Sequence, residues 1–323
     1  MRDIITSMPE QMLAAIQLLP SRVTAKKQYN KVMVCGMGGS GISGEILKVL
    51  YPTVEIISNK DYTIPRYIDH NTLAIVISYS GNTEETLSNY AILNNRRSGI
   101  VIISSGGRLL KKKANTKVKI PGGLPPRGAL GYLFTPLPSI LYKYGFIPND
   151  PSDKIIDLAN FLKHTRKRIE LKAKTLAKKF VKKMPIIYAN SSTYLPVAKR
   201  WQSQLNENAK IIAHINVIPE MNHNEIVGLG RPRALNKSIL PVFLNDPKAH
   251  VRNKARLVIM SRLIKGFFRG IIEIKPQGNN DIKRVFWTIM LGDFISYYLA
   301  KATNIDPLPV KRIDYLKKEL SKL

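Results

Sequence analysis

The feature that most constrains this chain is a junction. Lys31–Cys35 (KVMVC) is a short apolar run that ends in Gly36-Met37-Gly38-Gly39-Ser40-Gly41 and passes into the helical pattern Ile42–Leu50. A strand that feeds a helix through a glycine turn returns to its sheet most simply by a parallel crossover. The same rhythm continues downstream. Val54–Ser58 reads as a second strand, Leu73–Ser78 (LAIVIS) as a third with a helix over Thr83–Asn95, Ile100–Ser104 as a fourth and Val118–Ile120 as a fifth. Strands alternating with helices predict an α/β domain, a parallel sheet with helices on both faces. Gly131–Gly145 is expected to close this domain as a buried helix, and Pro148-Asn149-Asp150-Pro151 reads as a linker.

The second half repeats the pattern more loosely. After a basic helix, Pro185–Ala189 is a strand, Asn190-Ser191-Ser192-Thr193 a turn, and a helix runs to about Asn208. Ile239–Leu244 and Ile271–Ile274 are further strands, with helices near 247–265 and 281–303 and a short basic helix at Lys311–Leu320. Two similar α/β domains, 1–148 and 149–323, are the expectation, and 323 residues agree with about 150 per domain.

Composition enters by exclusion. One cysteine, Cys35, rules out a disulfide framework, and the five histidines show no zinc-ligand spacing, so no metal site is expected. The longest apolar stretch, Phe286–Ala300, carries Asp293 at its middle and is too short to span a bilayer. The N-terminal residues, with Asp3 and Glu10, lack a signal-peptide pattern, so the expected location is cytoplasmic, without a membrane partner. The net charge is +29, with 18 basic and 9 acidic residues in 1–150 and 33 and 13 in 151–323. Such a field attracts polyanions and also steers a small phosphorylated substrate. Between Lys163 and Lys183 lie ten lysines and arginines, His164 and a single acid, Glu170, with Phe180 the one aromatic residue, so the stretch lacks the repeated interleaving of aromatic and basic residues of a single-strand platform. Specific nucleic-acid binding is therefore not expected, and the basic excess reads as a solvated surface.

The glycine loop has two readings. Gly36, Gly38 and Gly41 satisfy G-x-G-x-x-G, which suits a dinucleotide, but Glu55 lies at the start of the second strand rather than at its end, where a ribose-binding acid belongs. The second junction decides between them. Ser78-Tyr79-Ser80-Gly81-Asn82-Thr83 sets three hydroxyls and small-residue amides at a strand's carboxyl end, where a helix begins. Those are the donors that a phosphate monoester takes at a helix N-terminus. Helix capping explains one such hydroxyl but not Ser78, Ser80 and Thr83 together.

With GMGGSG, SYSGNTEET and then SSGGRL, the chain resembles the sugar isomerase (SIS) domain. Further segments are similar to one branch, the archaeal-type bifunctional phosphoglucose/phosphomannose isomerases: Pro125–Leu130 (PPRGAL), Leu205–Lys210 (LNENAK), Pro219–Asn224 (PEMNHN) and Arg312–Lys317 (RIDYLK). The resemblance runs in order from about residue 30 to the end, and it implies two SIS-type domains. It also implies a cofactor-independent aldose–ketose isomerase that moves a proton between C1 and C2 of hexose 6-phosphates through a cis-enediolate. Such chemistry needs a phosphate anchor, an acid–base group for ring opening, a base between the two carbons and a cation beside the enediolate.

The resemblance assigns these roles residue by residue. Phosphate binding falls to Ser40, Ser78, Ser80 and Thr83, with Gly38, Gly39, Gly41 and Gly81 shaping the loops. Glu207, which alone reads as a surface acid, becomes the base. His223, set in the polar run Glu220–Glu225, opens the ring with help from Lys317, whereas His70, His164, His214 and His250 read as structural. Arg127 is the cation beside the enediolate; a fixed guanidinium stabilises an oxyanion without a proton to lose. In related isomerases the histidine enters from the neighbouring subunit, which implies a homodimer with His223 shared across the interface. One departure stands out: the relatives can carry a threonine before Arg-Ile-Asp, associated with room for both C2 epimers, and Val310 stands at about that place. The implied substrates are therefore glucose and fructose 6-phosphates, with mannose 6-phosphate subject to that departure. The alternatives are a non-catalytic sugar-phosphate-binding SIS regulator with nucleic-acid affinity and a nicotinamide-dependent dehydrogenase built on Gly36–Gly41.

Overall fold

The computed structural model describes residues 1–19 and 28–322. Two short helices, α1 (Arg2–Thr6) and α2 (Met8–Gln17), precede β1 (Lys31–Cys35), α3 (Gly38–Leu50), β2 (Ile56–Asn59), β3 (Thr72–Ile77), α4 (Glu84–Asn95), β4 (Gly99–Ser104), α5 (Gly107–Leu110) and β5 (Thr116–Lys119). After them come α6 (Leu130–Phe134), α7 (Pro136–Lys143) and the long α8 (Ser152–Phe180). The second series is β6 (Met184–Ala189), α9 (Leu195–Asn208), β7 (His214–Val217), α10 (Glu225–Gly228), β8 (Ile239–Leu244), α11 (Val251–Ile264), β9 (Ile272–Ile274), α12 (Asp281–Ala302) and α13 (Lys311–Leu320).

The chain forms two compact units. One comprises Asp3–Arg166 with Gly278–Phe286, the other Met1–Arg2, Lys167–Gln277 and Trp287–Leu323. The first holds a five-stranded sheet in the order β2-β1-β3-β4-β5, parallel throughout. Every residue of β3 and β4 is buried, as central parallel strands covered on both faces require. On one side Met33, Cys35, Ala74, Val76, Ile100 and Ile102 pack with Tyr90 and Leu93 of α4. Each fully buried aliphatic side chain contributes about 1.5–3 kcal/mol, so this layer fixes the strand order. β5 alternates buried and exposed residues, the mark of an edge.

The second unit has a four-stranded parallel sheet in the order β7-β6-β8-β9, which repeats the order β2-β1-β3-β4 of the first. Its core joins Ile186, Tyr188 and Phe243 to Leu257, Met260 and Ile264 of α11. The α/β class and both parallel sheets are as the sequence predicts. Three details differ. The single helix expected over Gly131–Gly145 is α6 and α7, separated at Thr135 because Pro136 and Pro138 lack an N–H and start a new helix instead of continuing one. β7 was not foreseen: His214-Ile215-Asn216-Val217 is a partly exposed edge strand with no continuous apolar run. The basic helix begins at Ser152 rather than in the lysine-rich stretch.

Among the described residues no helix is long and apolar enough to cross a membrane.

Candidate active site

In a sheet of order 2-1-3-4-5 the chain winds in opposite directions from β1 and β3, and the crevice between their carboxyl ends is where ligands bind. Both hydroxyl-bearing loops lie there. Ser40, in the first turn of α3, is 5% exposed, and its Oγ accepts a hydrogen bond from Tyr79 N at 3.2 Å, which joins one loop directly to the other. Ser78 Oγ accepts from Gly81 N at 3.0 Å and lies 2.8 Å from Thr83 Oγ1. Thr83 occupies the N-cap of α4, yet its side chain makes no capping bond. Ser80, on the exposed rim, accepts from Asn82 N at 3.3 Å. The N-termini of α3 and α4, helices of 13 and 12 residues, add their dipoles to these donors.

Two glycines make this geometry attainable. A Cβ at Gly41 would lie 2.2 Å from Gly36 O, so α3 enters the turn closer than any side chain allows. Gly81 has φ +71°, and a Cβ there would lie 1.8 Å from Gly106 O. Gly38 starts α3 with a positive φ, and Gly39 abuts the carbonyl of Pro126.

That last contact brings Arg127 to the crevice. The Pro126–Gly128 turn, with Arg127 5% exposed, packs on the start of α3. Two residues the sequence did not single out hold it. Tyr79 Oη accepts from Leu124 N at 2.9 Å and donates to Pro121 O at 3.0 Å, fixing the segment before the turn. Burial pushes the Tyr79 phenol above its ordinary range, with the Leu124 amide pulling the other way, so it remains a neutral donor. Gln11, from α2, donates to Gly128 O at 3.0 Å and accepts from Gly131 N at 3.2 Å. Neither residue carries a sequence signal, because each acts through contacts dozens of residues away.

In the other unit Glu207 is the penultimate residue of α9, and it lines a cavity of about 580 Å³ together with Lys210, Ile305, Asp306, Pro309 and Val310. Lys210 Nζ donates to the carbonyls of Glu207 and, at 2.7 Å, Pro309, which ties the cavity's two walls. Val310 thus shares a cavity with Glu207, while Lys317 lies further along α13, exposed. His223 ends a single helical turn that follows β7 and is exposed. α9 leads into the start of the edge strand β7, and the His223 turn follows β7's other end, so Glu207 and His223 occupy opposite ends of this strand. His214 is half-exposed and reaches Glu225 Oε2 at 3.2 Å. Glu225 also accepts from Tyr188 Oη and from Asn216 Nδ2, each at 2.6 Å.

The corresponding crevice of this second sheet, between β6 and β8, is filled by the protein. Asp246, 4% exposed, accepts from Ser191 Oγ at 2.7 Å and Lys248 N at 2.9 Å, and its own N–H donates to Asn190 Oδ1 at 2.7 Å.

Residues 169–320 match the family model described as the bacterial phospho-glucose isomerase C-terminal SIS domain. The fold is similar to the C-terminal domain of glucosamine-fructose-6-phosphate aminotransferase from Francisella tularensis, with a TM-score of 0.75 and 15% identity over 94% of this chain and 96% of that one. A bifunctional phosphoglucose/phosphomannose isomerase from Thermoplasma acidophilum is 34% identical over 91% of this chain and 90% of its own. The enzyme of that description from Caldicellulosiruptor bescii is 40% identical over 100% of this chain and 99% of its own. Identity sustained along the whole of both chains, over a fold with an anion-ready crevice, makes this protein a member of the bifunctional phosphoglucose/phosphomannose isomerase family.

Proposed function

We propose that this isomerase interconverts glucose 6-phosphate and fructose 6-phosphate, and mannose 6-phosphate with them, by moving one proton between C1 and C2. The observation that carries the reading is the pair of joined hydroxyl loops at the β1/β3 crevice, whose donors suit a phosphate dianion. The labour divides between residues 1–148, which supply the anchor and Arg127, and 149–323, which supply the acid–base groups.

Ser40, Ser78, Ser80 and Thr83 donate to the phosphate oxygens. His223, aided by Lys317, takes the proton of the anomeric hydroxyl and returns one to the ring oxygen, which opens the sugar. Glu207 removes the proton from C2 of the aldose, leaving an enediolate whose negative oxygen faces Arg127. The same carboxylic acid then delivers the proton to C1, and ketose results; run backwards, delivery to either face of C2 yields glucose or mannose 6-phosphate. The positions of Glu207 and His223, before and after the edge strand β7, support a homodimer in which His223 serves the partner's site. No step calls for a cofactor, and the cytoplasm is where the substrates of such an enzyme occur.

The test is incubation with fructose 6-phosphate in EDTA, with both aldose products quantified separately, for the parent enzyme and Glu207→Gln. Losing the base is expected to lower kcat by at least about 10²–10⁴-fold with KM little changed. A folded Glu207→Gln that keeps its turnover removes Glu207 from the role.

A further inference from the structure

The face of α9 turned toward α12 is polar where an apolar one would serve. Arg200, Gln204 and Asn208 follow one another at four-residue spacing along it and are 3%, 3% and 0% exposed. From α12, Asp293 and Ser296 meet them, 1% and 0% exposed. Arg200 forks onto Asp293, Nε to Oδ1 at 3.0 Å and Nη2 to Oδ2 at 2.6 Å. Asn208 Nδ2 donates to Gln204 Oε1 at 2.8 Å and to Ser296 Oγ at 2.9 Å, and Ser296 Oγ donates to Asp293 O at 2.7 Å. Gln204 also bonds to the Asp293 carboxylate, which completes the network. The helices meet closely, since a Cβ on Gly292 would lie 2.2 Å from Trp201 Nε1.

Burying an ion pair and three neutral polar side chains brings no stability that well-packed leucines would not match. What hydrogen bonds add over apolar packing is direction: they fix the rotation of α9 about its axis and its height along α12. The network ends on Asn208, and the next residue back is Glu207, on the cavity wall. A carboxylate that must reach two adjacent carbons in turn tolerates little rotation of the turn that bears it, since a displacement of 1 Å can cost about 10²-fold in rate.

We infer that Asn208, with Gln204 and Ser296, is a positioning residue that holds the last turn of α9 so that Glu207 reaches both carbons. The inference rests on Glu207 being the base. The variants are Asn208→Leu, close in shape but without donors, and an all-apolar set, Arg200→Met, Gln204→Leu, Asn208→Leu, Asp293→Leu and Ser296→Ala together, which keeps the interface packed if Asn208→Leu alone fails to fold. The measurements are thermal unfolding, kcat and KM with fructose 6-phosphate, and the fraction of product carrying solvent deuterium after one turnover in D₂O. A folded variant is expected to lose about 10- to 100-fold in kcat with KM within about twofold. Its deuterium incorporation is expected to rise, because a loosened carboxylic acid exchanges its proton with water before returning it. A folded variant with parental kcat and parental exchange overturns the inference. Glu207→Gln, measured alongside, separates the two failures: turnover in that variant removes the base and this inference together, whereas an inactive Glu207→Gln beside a fully active Asn208→Leu removes the inference alone.

Discussion

Replacing Gly41 by alanine tests whether the phosphate crevice depends on a backbone approach that only glycine permits. The added Cβ would lie 2.2 Å from Gly36 O, 2.9 Å from Gly36 C and 2.9 Å from Lys60 Cε. The lysine tip can swing aside, but the two backbone atoms belong to the turn itself. An ordinary contact is about 3.5 Å, so turn and helix must part by more than about 1 Å. Overpacking of this kind costs about 1–3 kcal/mol, a Tm loss of several degrees in a protein of this size. The functional cost is separate. Ser40 immediately precedes Gly41 in the first turn of α3, and its 3.2 Å bond from Tyr79 N is not expected to survive such a shift. Losing one hydrogen bond to a charged phosphate costs about 1.5–3 kcal/mol, or roughly 10- to 100-fold in affinity. The assay is calorimetric titration with fructose 6-phosphate, with thermal unfolding run in parallel. Gly38→Ala is the control: it sits at φ +47° but its Cβ meets nothing within 4 Å, so it pays backbone strain of about 1–2 kcal/mol while the turn keeps its shape. Affinity within twofold of the parent for Gly41→Ala, or equal damage from both substitutions, would refute the reasoning.

Three further outcomes follow from the same structure. Burial pushes the Cys35 thiol up to about 12, so the native protein is expected to show no reactive thiol toward an aromatic disulfide at pH 8 and one after unfolding. Glu170 is partly buried, which raises its pKa, but bonds from Arg2 and Tyr298 outweigh this and hold its carboxyl below the usual range. A depressed carboxyl stabilises the fold above its unfolded pKa and loses that contribution as pH falls through the folded value; Arg2→Ala is therefore expected to lose up to about 1 kcal/mol in urea unfolding at pH 7 and progressively less as the pH falls into the acid range, the half-exposed arginine keeping the figure small. Val310→Thr, on the wall shared with Glu207, is expected to raise the mannose 6-phosphate share of products from fructose 6-phosphate, and an unchanged ratio removes Val310 from specificity.

What the sequence disclosed was what is local. β3 and β4 are continuous apolar runs because both faces are covered, and such runs need no partner to be recognised. The hydroxyl loops were legible for the same reason: Ser78, Ser80 and Thr83 fall within six residues, and the chemistry is in their spacing. β7 escaped because an edge strand of four residues with a histidine and an asparagine carries no period. The wall of the Glu207 cavity comes from residues about a hundred positions away, and the Arg200–Asp293 fork spans a similar separation. Asp293 alone left a trace, as the charge at the centre of the longest apolar stretch, where its burial against a single guanidinium now accounts for it.

The filled crevice of the second sheet has a consequence for traffic around the molecule. A net charge of +29 attracts phosphorylated anions, and two sheets of like strand order would offer them two berths. Asp246 removes one of them. Its carboxylate already takes the hydroxyl and amide donors that an incoming anion would need, and it meets that anion with like charge. The chain carries its own tethered competitor at the crevice where binding would be idle.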